Sequence, residues 1–289
     1  MIIFCSIGPI FPFEIRTLRD YGFVCWKRVA TLPLGIPLPL NMMQQPQRAA
    51  DLQNVPRPVA AMARTYEQSV DFGWHSHRRG QLLQIIDGFM TARTPDTSFI
   101  IPCGYGLLIA PEIPHAVHSH GRVSMQSVYI EPDPGIAMPW ATRVISTSTL
   151  LSATVGAFLN EPTLYDENGR GGHLAALMLE EIANAQEGPF ALPMPSDRRL
   201  QRLCRDLSDT PSLDLDIDRW ADNLGMSRRT MTRKFRIQTG MSFAEWRRRL
   251  RMAHVMRRQA EGARLEEAAA DVGYRSLSSL RKAMREVSE

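Results

Sequence analysis

Ile217-Asp-Arg-Trp220-Ala221-Asp-Asn-Leu224-Gly225-Met-Ser227 returns in physical outline forty-eight residues later as Leu265-Glu-Glu-Ala268-Ala269-Ala-Asp-Val272-Gly273-Tyr274-Arg-Ser276. Apolar residues at i, i+3, i+4 and i+7 give each copy a short one-faced helix. Gly225 and Gly273 then fall where a helix ends on a left-handed residue. Ser227 and Ser276 follow as N-caps, because a serine hydroxyl accepts from the free N–H groups that open a new helix. Each copy therefore predicts helix, tight turn, helix. Ser242-Phe-Ala-Glu245 reads as a capping box that opens a helix through Met256 between the copies, with Phe243, Trp246, Leu250 and Ala253 at core spacing.

The helix after Ser227 sorts its side chains by face. Met231 and Phe235 point to a core, and Arg229, Thr232, Arg233 and Arg236 form the opposite stripe. Arginine forks can read guanine edges and can also neutralise phosphates. Between Met226 and Arg258 there are eleven Arg or Lys against one acid, Glu245. An arginine-rich helix by itself is ordinarily a solvated face. Two turn-linked helix pairs in fixed register, joined by a rigid helix, argue instead for two major-groove readers, which must lie about 34 Å apart on one DNA face.

These residues resemble the AraC/XylS transcriptional regulators. The likeness is carried by Ile217-x-x-Trp220-Ala221, Ser227-x-x-x-Met231-x-Arg233-x-Phe235-Arg236, Thr239-Gly240-x-Ser242-Phe243 and Ala269-x-x-Val272-Gly273-Tyr274-x-Ser276, over roughly the last third of the chain. The resemblance implies two helix-turn-helix motifs entering successive major grooves. By position in the motif, Arg228, Arg229, Thr232, Arg233 and Arg236 in the first copy, and Ser276, Ser278 and Arg281 in the second, are the expected DNA contacts, with Arg248 and Arg249 expected at phosphates. The second copy departs from the family at Leu280 and Met284, where phenylalanine is usual, and no closing Gly-x-x-Pro follows before Glu289. Leucine and methionine are volume-tolerant replacements, so the helix is expected with less cover over its apolar face.

Composition agrees with this division. A length of 289 residues and 44% hydrophobic content suit about two globular domains. From Ser196 to Glu289 there are 21 basic and 14 acidic residues, net +7, which leaves −3 for the rest of the +4 chain. Only the C-terminal part looks built for a polyanion. Cys5, Cys25, Cys103 and Cys204 form no C-x-x-C pair or disulfide framework, consistent with a reducing cytoplasm. No apolar run is long enough to span a membrane. Met1 to Ile10 lacks a basic n-region and is broken by Gly8 and Pro9, against a signal peptide.

Residues 1–55 show no sustained period and read as an unstructured extension, with Met42 or Met43 as a natural alternative start. Residues 56–135 predict a small β-barrel or sandwich, from Leu82–Ile86, Phe99–Ile101, Leu107–Ala110 and Val123–Ile130 between Gly and Pro turns. Residues 140–187 turn helical and read as a linker or dimer contact, with packing on the barrel as the alternative. Gly188 to Pro195 is proline-rich and reads as the boundary before a helical domain over 196–289. The fold class expected is α+β: a jelly-roll barrel, a helical segment and an all-α double helix-turn-helix domain.

Five of seven histidines lie in the barrel region. Trp74-His75-x-His77-x-x-x-Gln81-(six residues)-Gly88, then Gly106 and Pro111-x-x-Pro114-His115, resemble the two cupin motifs, which implies a jelly-roll whose histidines and a glutamate surround a metal. On a strand His75 and His77 would share one face, as two ligands to one ion require. Here the glutamate position holds Gln81, a neutral and weaker ligand for a hard cation. His75, His77, Gln81 and His115 are thus the effector-pocket candidates, and His75, His77 and His115 are also the residues a divalent metal would use. No cofactor is expected. His118 and His120 alternate away from His115 and read as surface residues.

The leading function is a cytoplasmic, sequence-specific DNA-binding transcription regulator that senses a small molecule through the cupin-like domain. Its expected partners are double-stranded DNA, an effector, RNA polymerase and a second copy of the chain, with no membrane and no catalytic residue. The competing class is a metal-dependent cupin enzyme, a dioxygenase or isomerase with an accessory basic domain. Gln81 and the lack of any other acid among the pocket candidates argue against it. An architectural nucleic-acid binder would need no barrel with a polar mouth.

Overall fold

A computed structural model describes residues 48–133, 135, 137–211 and 216–288, all within the compact unit that spans 33–289. Ten strands form two five-stranded antiparallel sheets. The first sheet has the order β1 (Val59–Tyr66), β8 (Val123–Ile130), β3 (Gly80–Asp87), β6 (Tyr105–Ile109) and β9 (Arg143–Ser146); the second has β10 (Ala191–Pro193), β5 (Thr97–Pro102), β4 (Phe89–Arg93), β7 (His115–Ser119) and β2 (Asp71–His75). Register follows side-chain alternation. Ala60 faces Tyr129, Met62 faces Ser127 and Arg64 faces Met125, with Gln81 and Leu83 beside Tyr129 and Ser127, so these residues share the inner face.

The opposite face of the first sheet is covered by α1 (Thr149–Phe158) and α2 (Arg170–Ala183). Val59, Leu82, Leu108, Val128 and Ile130 meet Leu151, Val155, Phe158, Ala175, Met178 and Ile182 in one core. Gln84 also donates to Ser152 Oγ at 2.7 Å. The buried faces of this helix pair are therefore spent on the barrel itself, and the barrel extends past residue 135 through β9 and β10. The proline-rich stretch expected to be a boundary spacer is in part a strand: Ala191–Pro193 pairs with Thr97–Phe99. Pro193 is tolerated because β10 is an edge, where a missing N–H leaves no ladder bond unmade.

The expected unstructured extension is corrected at its end. Ala49–Leu52 forms a 3-10 turn whose Leu52 is fully buried against Ala60, Met62 and Tyr129. The 1% exposed Arg79 guanidinium holds the following segment, donating to Arg57 O at 2.9 Å and to Val55 O while pairing with Glu131 at 3.0 Å. These anchors come from residues about 25 positions away, which no local period could reveal. Residues 1–47, including the alternative starts, lie outside the described residues.

The C-terminal domain comprises α3 (Arg198–Asp209), α4 (Ile217–Asn223), α5 (Arg228–Thr239), α6 (Phe243–Ala260), α7 (Leu265–Asp271) and α8 (Leu277–Ser288). Gly225 and Gly273 take φ of +61° and +85°, the left-handed turn the sequence requires. Ser227, Ser242 and Ser276 each accept from the backbone N–H three residues on, at 3.2 Å. Glu245 completes no box: its carboxylate takes Arg249 at 2.8 Å. Leu280, Ala283 and Met284 are buried at 0%, 8% and 5%, so α8 packs with the substitutes in place of phenylalanine.

Helix α6 joins the two domains. It lies against β4, β5 and β10, and the Trp246 indole N–H donates to Pro193 O at 3.0 Å.

Leu52→Ala should lower the unfolding free energy by about 2–5 kcal/mol in urea denaturation, the usual range for emptying a buried leucine site. A loss within the noise of the measurement would mean that the Ala49–Leu52 turn is only loosely held.

Candidate nucleic-acid interface and effector cavity

On α5 the Ser227 cap orients the helix, and Met231 and Phe235, both fully buried, anchor its inner face. Phe235 meets the rings of Phe243 and Trp246 edge-on at 5.3 and 6.0 Å, which ties α5 to α6. Arg229, Arg233 and Arg236 stand exposed on the other side. None of the three has an ion-pair partner among the described residues. Arg228 pairs with Asp218 of α4 at 3.3 Å. Thr232 is half-buried and returns its hydroxyl proton to Arg228 O at 2.9 Å.

The basic residues of α6 behave differently. Arg248 is paired with Glu286 of α8 at 3.1 Å, Arg249 with Glu245 at 2.8 Å, and Arg258 with Asp271 at 2.7 Å. Arg251 donates to Pro211 O and lies over the Tyr274 ring. Much of the charge counted along the sequence therefore knits α6 to its neighbours. In the second motif Ser276 caps α8, Ser278 is exposed beside it and Arg281 is half-buried one turn further on.

Between the two sheets lies a cavity of about 410 Å³. Met62, Leu83, Met90, Val117 and Met125 form its apolar wall, and Arg48, Arg64, Tyr66, His75, Gln81 and Tyr129 add its polar groups. At one end three histidines converge, with candidate ligand atoms within 4.8 Å of one another. His75 closes β2 opposite His115 at the start of β7, and their ring centroids are 4.2 Å apart. His77 lies two residues past the end of β2, in the loop before β3, and its ring is 5.0 Å from that of His115. The shared strand face expected for His75 and His77 is thus not what unites them. A loop carries His77 back to the pair.

Backbone carbonyls set the tautomers. His75 Nδ1 faces Gly73 O at 3.2 Å, His77 Nδ1 faces Arg79 O at 2.6 Å and His115 Nδ1 faces Ile113 O at 2.8 Å. A carbonyl can only accept, so Nδ1 carries the proton in His75 and His115, whereas His77 faces acceptor oxygens with both ring nitrogens, Arg79 O at Nδ1 and Gln81 Oε1 at Nε2. His115 Nε2 is buried with no hydrogen-bond partner among the described residues. Burial, reinforced by the neighbouring His75 and His77, pulls His115 down to about 4 and keeps it neutral at pH 7. The Gln81 amide links His77 Nε2 at 2.9 Å to Ser127 Oγ at 3.0 Å and Tyr129 O–H at 3.3 Å. Burial pushes the Tyr129 phenol up to about 12, so it stays a neutral hydrogen-bonding group.

Three imidazoles without a carboxylate suit a borderline cation such as zinc and not a hard one. His118 is partly exposed, 4.0 Å from Asp71. His120 departs from the surface position expected of it: it bonds Thr91 Oγ1 at 3.0 Å, packs on Phe89 and feels the charges of Arg257 on α6 and of Glu261 just past its end. Arg64, Tyr66, Met90, Met125 and Tyr129 were not legible as site residues. Their one local signal is the two-residue alternation Met62, Arg64, Tyr66, with an arginine on an otherwise inward face.

A family model described as an AraC-like ligand binding domain matches residues 59–164, and one described as a helix-turn-helix domain matches 220–289. The chain is 22% identical over 205 residues to the HTH-type transcriptional regulator NimR of Escherichia coli K12, across 71% of this chain and 75% of that one. It is 31% identical over 93 residues to the HTH-type transcriptional regulator RipA of Corynebacterium glutamicum, across 32% and 28%. Solved structures similar to it include ToxT from Vibrio cholerae, at 9% identity and a TM-score of 0.33 over 80% of this chain and 95% of that one. The AraC-like transcriptional activator CuxR matches at 13% identity and a TM-score of 0.36, over 74% and 82%. Among the described residues no helix is long and apolar enough to cross a membrane. With an AraC-like ligand-binding domain followed by a helix-turn-helix domain, the chain belongs to the AraC-type transcriptional regulators.

Proposed function

We propose that this regulator reads its DNA site chiefly through the unpaired Arg229, Arg233 and Arg236 of α5, with Ser276, Ser278 and Arg281 serving the second motif. The observation that carries this assignment is the contrast between those exposed, unpartnered guanidinium groups and the internally paired arginines of α6. Arg248 and Arg249 reach a phosphate only by giving up Glu286 and Glu245, so their share is smaller. Occupancy of the cavity reaches the reading heads through α6, which touches β4, β5 and β10 on one side and α5, α7 and α8 on the other. The protein works in the cytoplasm without turnover. Two copies pair through the outer side of α1, where Leu150 is 50% exposed, and the DNA-bound dimer acts on RNA polymerase.

Arg233→Ala should weaken specific binding by ~1–3 kcal/mol and relax one or two base positions when bound sequences are selected from random DNA. An unchanged preferred site would remove Arg233 from base reading. Arg236→Ala should flatten the dependence of log affinity on log salt by about one unit, and Arg248→Ala by less. Equal slopes for the two variants would contradict the division between free and paired cations.

A second reading is favoured by the unpartnered, buried Nε2 of His115: His75, His77 and His115 would hold a divalent cation. Bound there, such an ion supplies a Lewis acid at the cavity end. His77 would have to exchange its Nε2 contact with Gln81 Oε1 for the ion, and Gln81 would not add a charged ligand. Metal analysis after exposure to zinc should give one equivalent per chain, lost in His115→Ala. Metal content equal in wild type and His115→Ala would exclude the site, and oxygen uptake by the iron-loaded protein with any substrate would turn the assignment toward an enzyme.

A further inference from the structure

Among the described residues the cavity lining contains two arginines and no carboxylate. Arg64 stands half-buried on β1, and among the described residues no carboxylate pairs with its guanidinium or with that of Arg48, whose backbone N–H alone donates to Asp51. A guanidinium facing an apolar wall is poorly solvated, and a bound group that pairs with it recovers a charge-assisted hydrogen bond. A cationic ligand would be repelled, and a neutral one would bury the arginine unpaired. An anion alone turns Arg64 from a cost of binding into a gain.

Strand register gives the second dimension. Arg64 lies opposite Met125, and Tyr129 lies opposite both Ala60 and Gln81, so the arginine level and the Gln81–Tyr129 level are four residues apart along β8. At the rise of an extended strand this is about 13 Å. Between the two levels the wall is Met62, Leu83, Met90, Val117 and Met125, flexible thioethers and branched aliphatics that mould to a chain or flat hydrocarbon and offer it no hydrogen bond.

Resting on the assignment of this cavity as the effector site, we propose that the effector is an elongated apolar molecule with one anionic head, the head at Arg64 and the body running along Met62, Met90 and Met125 toward Gln81 and Tyr129.

The test uses the full chain with hexanoate, decanoate, decanol and decylamine as probes, read by thermal unfolding and by titration calorimetry. Decanoate should raise Tm by several degrees, because a ligand that binds only the folded state stabilises it. Hexanoate is too short to run between the two levels and should raise Tm less, decanol less again, and decylamine not at all. Arg64→Met should remove the preference for decanoate over decanol, and Arg64→Lys should restore part of it. If Arg64→Met lowers Tm too far to be read, Arg64→Gln serves the same comparison. Equal binding of decanoate and decanol, or a preference that survives loss of the Arg64 charge, overturns the proposal. Operator binding measured in parallel separates the two assignments: decanoate that binds through Arg64 but leaves DNA affinity unchanged supports the ligand class and refutes the effector role. A DNA response to decanol or decylamine that matches or exceeds the response to decanoate keeps the effector role and refutes the class.

Discussion

Trp246 is the joint on which the arrangement of this molecule depends. Its indole is 1% exposed, its N–H is given to the carbonyl of Pro193 at the edge of the second sheet, and its ring meets Phe235 of α5 edge-on. A buried indole N–H must find an acceptor, and an edge strand has a free row of them. That one side chain thus makes the orientation of α5 depend on where the barrel edge lies. Lys234 and Gln238 of α5 add a second attachment, reaching Asp197 at 2.9 and 3.0 Å. Because packed joints of this kind shift between discrete arrangements and do not deform continuously, a change in the barrel can be felt at α5 without any contact between effector and DNA.

Charge in the C-terminal domain is divided by function through pairing. On α6 the acids of α8, of the α6–α7 turn and of α7 neutralise Arg248 and Arg258 and hold the second helix-turn-helix against the connecting helix. On α5 the same residue type has no ion-pair partner among the described residues at Arg229, Arg233 and Arg236. Surface ion pairs are individually weak, so this pairing stabilises modestly. Its larger effect is to leave a localised positive stripe where a diffuse one would attract polyanions from any side.

The barrel end shows how a departure from a motif is absorbed. Gln81 in place of an acid brings no carboxylate to the histidine cluster, and the amide is tied to His77, Ser127 and Tyr129 in one hydrogen-bonded chain. The same burial that lowers His115 and raises Tyr129 keeps these two groups neutral, while Arg64 supplies charge four residues away along β8.

The helix-turn-helix pairs, their caps and glycine turns, the inward Met231 and Phe235 and the outward Arg229, Arg233 and Arg236 were legible from the amino-acid order, because helical period and capping act within four residues. The histidine cluster was legible as a set, though by a strand geometry that His77 does not adopt. Other features belong to the tertiary structure alone. Pairing of β1, β8 and β3 brings Arg64, Tyr129 and Gln81 to one wall from positions up to 65 residues apart. Long-range packing sends the apolar faces of α1 and α2 onto the first sheet and turns Ala191–Pro193 into an edge strand, and it buries Leu52 under a segment with no period of its own. Which arginine meets an acid is likewise decided by the approach of α6 to α7 and α8. Local chemistry determines what each segment can become, whereas a cavity, an ion pair or a domain joint exists only where segments distant in sequence meet.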